Sequence, residues 1–165
     1  MPELLCHTIP PVYDSRSRVL LLGSFPSPKS RETGFYYGNP QNRFWKVMAC
    51  LLGEPFPEGI PARKQLLLSH GIALWDVLAS CEIVGASDAS IRNPAPNDLG
   101  CIFREAQIRA VFATGQKAAA LYRRYSQPVF LREITALPST SPANAAKSLE
   151  ALCEAYRTIL PYLQG

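Results

Sequence analysis

The sequence has few of the residues that build metal centres or disulfide frameworks. It contains 2 histidines and 5 cysteines in 165 residues, and no two cysteines form a CxxC pair. This spacing argues against a zinc knuckle, a four-thiolate iron–sulfur site and a disulfide-stapled scaffold. We therefore expect no bound metal.

Long apolar runs and common catalytic signatures are also missing. No stretch approaches the about 20 apolar residues that a membrane-spanning helix needs. The amino terminus, MPELLCHTIPP, lacks a basic stretch followed by an apolar one, so we expect a cytoplasmic protein with no membrane partner. The motifs GxGxxG, GxxxxGK[ST], GxSxG and HExxH are absent. Their absence disfavours dinucleotide, P-loop, serine-hydrolase and zinc-protease chemistry, and we expect no cofactor.

The composition is that of one globular domain, which we expect to span residues 1–165. Hydrophobic residues make up 47% of the chain and charged residues 18%. A chain of this length buries roughly 68–70% of its unfolded surface, enough for one core. The net charge of +4 permits a nucleic-acid partner without requiring one, because the basic residues are spread along the chain. A monomer is the expectation at this size.

Short apolar runs alternate with helical patterns along the chain. The runs Arg18–Ser24, Ile72–Leu78, Ile108–Ala113 and Ile134–Leu137 predict buried strands. Apolar spacing and capping residues predict helices over 44–53, 63–69, 97–107, 118–125 and 149–163. This order predicts an α/β fold, a three-layer α/β/α sandwich with a central four-stranded parallel sheet. Ligands of such sheets bind beyond the carboxyl ends of the strands.

Two long polar segments follow predicted strands, over Phe25–Asn42 and Ala79–Pro96, and both are predicted to be loops. The first runs into a helix through GFYYGNPQNRFW. Its rings can sandwich a planar base and its amides can hydrogen-bond the edge of that base, as enzymes acting on an extruded nucleobase require. Asn39 and Asn42 can equally be a turn former and a helix N-cap, and the rings can equally belong to a lid or to the core.

An ordered set of motifs resembles the uracil-DNA glycosylase superfamily. The set comprises GSFPS, GFYYGNPQNRFWKV, GIALWDVL, TGQKAA, LPSTS and EAYR, and it covers Val19 to about Tyr162. The second motif is especially similar to that of the mismatch-specific uracil and thymine glycosylases. The resemblance implies an enzyme that acts on DNA containing deaminated bases and hydrolyses the N-glycosidic bond.

Two departures from the superfamily pattern indicate the branch. The first motif normally has Asp or Asn before its proline, to position the attacking water, but Phe25 stands there and a phenyl ring cannot orient water. The last motif often has His or Asn before Pro-Ser, but here it has Leu137. Both changes are similar to the hypoxanthine-DNA glycosylase branch, in which an asparagine outside the first motif positions the water.

The resemblance also implies roles for individual residues. Asn42 matches the asparagine of the N-x-F-W stretch and is our candidate for positioning the water, with Asn39 as the reserve. Asp76 can accept the ring N–H of the base, or instead cap a helix or pair with Arg92. The implied base-contacting residues are Gly23, Phe25, Pro26, Tyr37, Trp75 and Asp76. The implied DNA-backbone contacts are Ser24, Ser27, Lys29, Ser139, Thr140 and Ser141.

No lysine stands in the matched motifs where the family forms a Schiff base, which predicts a monofunctional enzyme that leaves an abasic site. The resulting hypothesis is a DNA repair glycosylase that removes chiefly hypoxanthine. One alternative keeps the fold and makes uracil the main substrate. Another is a catalytically silent DNA- or nucleotide-binding module, since the usual water-positioning side chain is missing. The sequence predicts no particular protein partner.

Overall fold

The computed structural model describes residues 3–83 and 91–164 of the chain. The strands are β1 (Glu3–Cys6), β2 (Val19–Gly23), β3 (Ile72–Asp76), β4 (Leu78–Ile83), β5 (Arg92–Pro96), β6 (Ala110–Thr114) and β7 (Thr135–Leu137). The helices are α1 (Pro28–Thr33), α2 (Phe44–Leu52), α3 (Gly59–Ser69), α4 (Gly100–Glu105), α5 (Gln116–Leu121), α6 (Gln127–Phe130) and α7 (Leu149–Tyr156). A π-helical turn, Tyr122–Ser126, joins α5 to α6, and a 3₁₀ segment, Arg157–Leu163, follows α7.

The predicted parallel sheet is present, with strand order β3-β2-β6-β7. Leu21 of β2 pairs with Leu74 on one side and with Phe112 on the other, so β2 is central. All five residues of β2 are buried, because helices cover both faces of the sheet. The predicted α/β sandwich with four parallel strands is confirmed.

Alternate residues of β2 build two separate cores, one on each face of the sheet. Val19 and Leu21 pack with α2, α3 and α7. Leu20 and Leu22 face the opposite way and pack with α4, α5 and the π-helical turn. This alternation follows from the two-residue period of a strand, and it makes the parallel sheet the middle of three layers.

A second sheet, antiparallel and ordered β1-β4-β5, was not predicted. The prediction of a loop over Ala79–Pro96 was wrong, since β4 and β5 occupy much of it, while residues 84–90 lie outside the described part of the chain. Strand β5 reads Arg-Asn-Pro-Ala-Pro and is mostly exposed, as expected of a sheet edge that tolerates proline. Its register with β4 shifts twice. Such irregular pairing does not produce the alternation of apolar and polar residues by which a strand is predicted from sequence.

The chain passes from the parallel to the antiparallel sheet directly after Asp76. The backbone N–H of Val77 still donates to Gly23 O at 2.8 Å, but the next residues belong to β4. The buried Asn97 side chain holds this crossing, because its Nδ2 donates to the carbonyls of Asp76 and Leu78 at 3.0 and 3.1 Å. By residue type, either Asn97 or Asp98 could cap the helix predicted to end at Gln107. Asp98 instead accepts the N–H of Gly100 at the start of α4.

Helix α1 lies inside the segment Phe25–Asn42 that was predicted to be a loop. Ser27 begins it, accepting the backbone N–H of Ser30 at 3.2 Å. Gly34 ends it with a φ of 79°, a left-handed conformation that favours glycine. In the part of the chain that the structure describes, no helix is both long and apolar enough to cross a membrane.

Candidate active site

An open cavity of about 590 Å³ lies at the carboxyl edge of the parallel sheet. This volume falls in the range of small-molecule sites. The segments after β2 and β7 reach the cavity, together with the last residues of β3 and β6, Asp76 and Thr114, as the topology predicts. Its lining includes Gly23, Ser24, Phe25, Pro26, Ser27, Ser30, Arg31, Tyr36, Tyr37, Asn42, Asp76, Thr114, Ser139, Thr140, Ser141 and Asn144.

A buried carboxylate lies at the inner end of this cavity. The Asp76 side chain is 6% exposed, and its Oδ2 lies 2.9 Å from Nε2 of His7. Its other oxygen, Oδ1, lies over Gly23, the residue that pairs with Asp76 across β2 and β3. A Cβ on Gly23 would stand 2.4 Å from Oδ1 and 3.2 Å from the Tyr37 hydroxyl. Glycine is therefore required for Asp76 to reach the cavity.

His7 is a site residue that the sequence analysis did not single out. It follows β1, and its backbone N–H donates to Ala79 O. It also replaces Arg92, the ion-pair partner considered above, as the contact of the Asp76 carboxylate. The two residues are 69 positions apart, and only the pairing of β1 with β4 brings them together.

Tyr36 fixes the chain segment that carries His7. Its hydroxyl donates to the carbonyls of Ile9 and Pro10 at 3.1 and 2.9 Å. Burial raises the pKa of Tyr36 well above its ordinary value, and the nearby Asp76 carboxylate raises it further. The hydroxyl therefore stays protonated and remains a donor.

Two aromatic side chains form walls of the cavity. The Tyr37 ring stacks on Phe44 with centroids 4.0 Å apart, and its hydroxyl is 2.7 Å from Thr114 Oγ1. Tyr37 has a φ of 51°, an uncommon conformation for a residue with a side chain, which these contacts stabilise. Phe25 is largely buried and lies beneath the Arg31 guanidinium, 5.9 Å from its ring centroid. Arg31 was not predicted as a site residue, and it also donates to Pro26 O at 2.9 Å.

Asn42 reaches the cavity from the start of α2. Its Oδ1 accepts the N–H of Phe44 at 2.9 Å and the hydroxyl of Thr140 at 2.8 Å. The first bond closes an Asx turn directly before α2, so Asn42 orders the start of the helix as well as lining the cavity. Because Oδ1 already has two donors, the group that Asn42 offers to the cavity is its Nδ2 amide.

Three of the predicted site residues do not line the cavity. Asn39 forms a turn in which its Oδ1 accepts the N–H of Gln41 at 2.9 Å. The Lys29 ammonium lies 3.6 Å from the Glu32 carboxylate on the exposed side of α1. Trp75 packs between the two cores, and its buried Nε1 has no hydrogen-bond partner among the described residues.

The loop after β7 closes one side of the cavity and carries the Ser139–Ser141 motif. Arg43 holds this loop, since its guanidinium donates to the carbonyls of Ser141 and Asn144 at 3.1 and 2.9 Å and also to that of Lys147. Asn144 in turn donates to Ser139 O at 3.0 Å. Neither Arg43 nor Asn144 was predicted. A basic residue directly before the predicted α2 was visible in the sequence, but its partners lie about a hundred residues away.

Within the described ranges, no three His, Cys, Asp or Glu side chains come together as metal ligands would. The groups that line the cavity are a buried acceptor carboxylate, aromatic walls, an amide donor and a rim of hydroxyl groups.

Comparison with known proteins gives consistent results. The family model of the uracil DNA glycosylase superfamily matches residues 10–164. A hypoxanthine DNA glycosylase from Methanosarcina acetivorans is 33% identical over 140 residues, which are 82% of this chain and 85% of the relative. A protein of the same name from Methanosarcina barkeri is 31% identical over 111 residues, 66% of this chain and 70% of its own. The solution NMR structure of a candidate uracil DNA glycosylase from Methanosarcina acetivorans superimposes with a TM-score of 0.78 at 28% identity, covering 95% of this chain and 99% of the other.

Proposed function

Because this chain belongs to the uracil DNA glycosylase superfamily, we propose that it removes deaminated bases from DNA, hypoxanthine first, and leaves an abasic site. The prediction of a DNA glycosylase is confirmed by the family and by relatives that carry the name hypoxanthine DNA glycosylase. The choice of base and the roles of single residues are our proposal, and they are argued below from the cavity.

The observation that carries the proposal is the Asp76 carboxylate over Gly23. A flipped base is read through hydrogen bonds to its Watson–Crick edge. Hypoxanthine presents a ring N1–H beside a carbonyl, and Oδ1 of Asp76 can accept that N–H. Uracil presents a similar N–H, so Asp76 alone does not separate the two bases.

The aromatic walls favour a purine. Phe25 stands where much of the superfamily has a polar residue, and Tyr37 is held by Phe44 and Thr114. Two ring-bearing walls suit a flat bicyclic base, which gains more stacking than a pyrimidine does. The same substitution leaves the first motif without a carboxylate to activate water.

We assign the handling of the attacking water to Asn42. An amide cannot deprotonate water, so the mechanism is dissociative: the bond from C1′ to the base nitrogen breaks first, and its electron pair leaves with the base. Asn42 Nδ2 then donates a hydrogen bond to a water whose oxygen attacks the sugar cation at C1′. The water releases one proton to solvent and the departing base takes one up from solvent, so the products are free base and abasic DNA.

The DNA backbone is proposed to lie along the rim of the cavity. Ser24, Ser27, Ser139 and Ser141 present hydroxyl groups there. The Thr140 hydroxyl already donates to Asn42, and Lys29 lies outside the cavity, 3.6 Å from the Glu32 carboxylate. No lysine is among the described residues that line the cavity. This supports hydrolysis by a monofunctional enzyme without a Schiff base.

The test uses end-labelled duplexes that differ only in one base, inosine or uracil. We expect the purified protein to release free hypoxanthine faster than uracil, and to leave strands intact until alkali cleaves the abasic site. Faster release of uracil would reverse the order of substrates. No release of any deaminated base would indicate the silent DNA-binding module instead.

A further inference from the structure

His7 is enclosed beside the cavity without lining it. Its side chain is 3% exposed. The rings of Phe25, Tyr36 and Trp75 surround it, with centroids 6.0, 6.0 and 6.2 Å from that of the imidazole. An imidazole surrounded by aromatic rings has little freedom to rotate. Because it is buried, each of its two nitrogens needs a hydrogen-bond partner in that one orientation.

The hydrogen bonds of His7 identify its tautomer. The backbone N–H of Ile9 donates to Nδ1 at 3.3 Å, and a backbone N–H cannot accept. Nδ1 is therefore unprotonated, and the proton of the neutral ring is on Nε2. Nε2 donates that proton to Asp76 Oδ2 at 2.9 Å.

This bond decides which oxygen of Asp76 faces the cavity. With Oδ2 engaged by His7, Oδ1 is the oxygen that stands over Gly23. Asn97 Nδ2 donates to the backbone carbonyl of Asp76 at the sheet crossing, and the His7 imidazole holds the carboxylate of the same residue. It is presented as a hydrogen-bond acceptor in a single orientation.

We propose that His7 is a positioning residue that fixes Asp76 Oδ1 as an acceptor for the ring N–H of the extruded base, and so determines base specificity. The inference rests on the proposed function of this cavity. Hypoxanthine carries a proton on N1 and fits the acceptor, whereas adenine has a lone pair at N1 and would meet the carboxylate unfavourably. The enclosed His7–Asp76 pair therefore selects the deaminated base against the abundant normal purine.

Three substitutions of His7, by leucine, glutamine and asparagine, distinguish a role in positioning Asp76 from a role in packing. In His7→Leu the donor is lost, and the single-turnover rate on inosine duplex should fall about 10- to 100-fold, as for other residues that orient a reacting side chain. In His7→Gln the side-chain amide can reach Asp76, and most of the rate should return. His7→Asn is polar but too short to reach Oδ2, and it should remain slow. His70→Leu is the matched control, since the other histidine lies by Glu54 at the end of α3.

Two further measurements exclude a purely structural effect. Affinity for an abasic duplex, which has no base for Asp76 to contact, should be the same for wild type and His7→Leu. In an Asp76→Asn background, His7→Leu should cause no additional loss of rate, because its effect passes through Asp76.

Each outcome decides a different question. If wild type releases no hypoxanthine, the proposed function fails and this inference fails with it. If wild type is active and His7→Leu matches it, or if the Gln and Asn variants are equally active, the inference alone is overturned. Should the Leu variant fail to fold, the comparison of Gln with Asn still decides.

Discussion

At the scale of single residues, we propose that the two ends of the Asn42 amide serve different purposes. Its Oδ1 accepts hydrogen bonds from the Phe44 N–H and the Thr140 hydroxyl, while its Nδ2 is the group left for the cavity. A simple truncation would remove both tasks at once. Substitutions that keep the oxygen and remove the nitrogen are therefore the informative ones.

We predict that Asn42→Ala lowers the single-turnover rate on inosine duplex about 100-fold or more, as the loss of other positioned donors does. It should also cost about 1 kcal/mol of stability through the lost hydrogen bonds of Oδ1. Asn42→Ser keeps an oxygen that can accept from Phe44 and removes the amide nitrogen, so denaturant unfolding should stay close to wild type while the rate stays low. The matched control is Asn39→Ala, which changes a turn outside the cavity and should be close to wild type.

The opposite ranking, an inactive Asn39→Ala beside an active Asn42→Ala, would move the role to Asn39. An Asn42→Ser variant as fast as wild type would show that the amide nitrogen is not the catalytic group.

At the scale of elements, the loop after β7 has little structure of its own. Residues 139–147 contain no helix or strand. The Arg43 guanidinium holds this loop in place by donating to three of the loop's backbone carbonyls. The rim of hydroxyl groups is therefore held in place by a residue at the start of α2. Positioning of this rim should depend on the guanidinium and its several donors, which a lysine cannot reproduce.

We predict that Arg43→Met lowers the free energy of unfolding by about 2 kcal/mol, because hydrogen bonds from a charged donor are lost together. Hydrogen exchange should accelerate over residues 139–147, and affinity for abasic duplex should fall. Arg123→Met is the control, since Arg123 donates to a single carbonyl, that of Ile134. Unchanged exchange in that loop would contradict a bracing role for Arg43.

The strands also show which parts of the fold and of the site could be predicted from the sequence. Strands β2, β3 and β6 were predictable because each is a short, mostly apolar and largely buried run, such as Val19–Gly23, whereas β7 is partly exposed. Gly23 and Asp76 were accessible to prediction for the same reason, since they end such strands. The antiparallel sheet was not, because Arg92–Pro96 has two prolines and little burial. Without β1 paired to β4, nothing in the sequence brings His7 to Asp76.

At the scale of the whole molecule, buried tyrosines link stability to pH. Tyr36, Tyr122 and Tyr156 are almost completely buried, and burial raises the pKa of each, in Tyr122 to about 12. In the unfolded chain a tyrosine ionises near pH 10. Below that pH both states are protonated and stability is unaffected. Above it only the unfolded state loses its protons, so stability falls as pH rises towards the folded pKa.

We predict a steep loss of unfolding free energy between about pH 10 and about pH 12, with each buried tyrosine contributing roughly 1.4 kcal/mol per pH unit. Denaturant unfolding at several alkaline pH values measures the slope. Tyr122→Phe should make it shallower, whereas Tyr162→Phe, at an exposed position, should not. An equal slope in all three proteins would contradict the assignment.

The contact of Asp76 with Gly23 has a consequence for redesign of the specificity of this enzyme. The carboxylate occupies the space that any side chain at position 23 would fill. The two positions are therefore coupled: while Asp76 is kept, position 23 tolerates no methyl group, and once Asp76 is shortened the nearest remaining atom is the Tyr37 hydroxyl at 3.2 Å. A variant library designed to find enzymes for other nucleobases should randomise positions 23 and 76 together. Variation at one of the two positions alone gives mostly variants with a steric clash or an empty space between them.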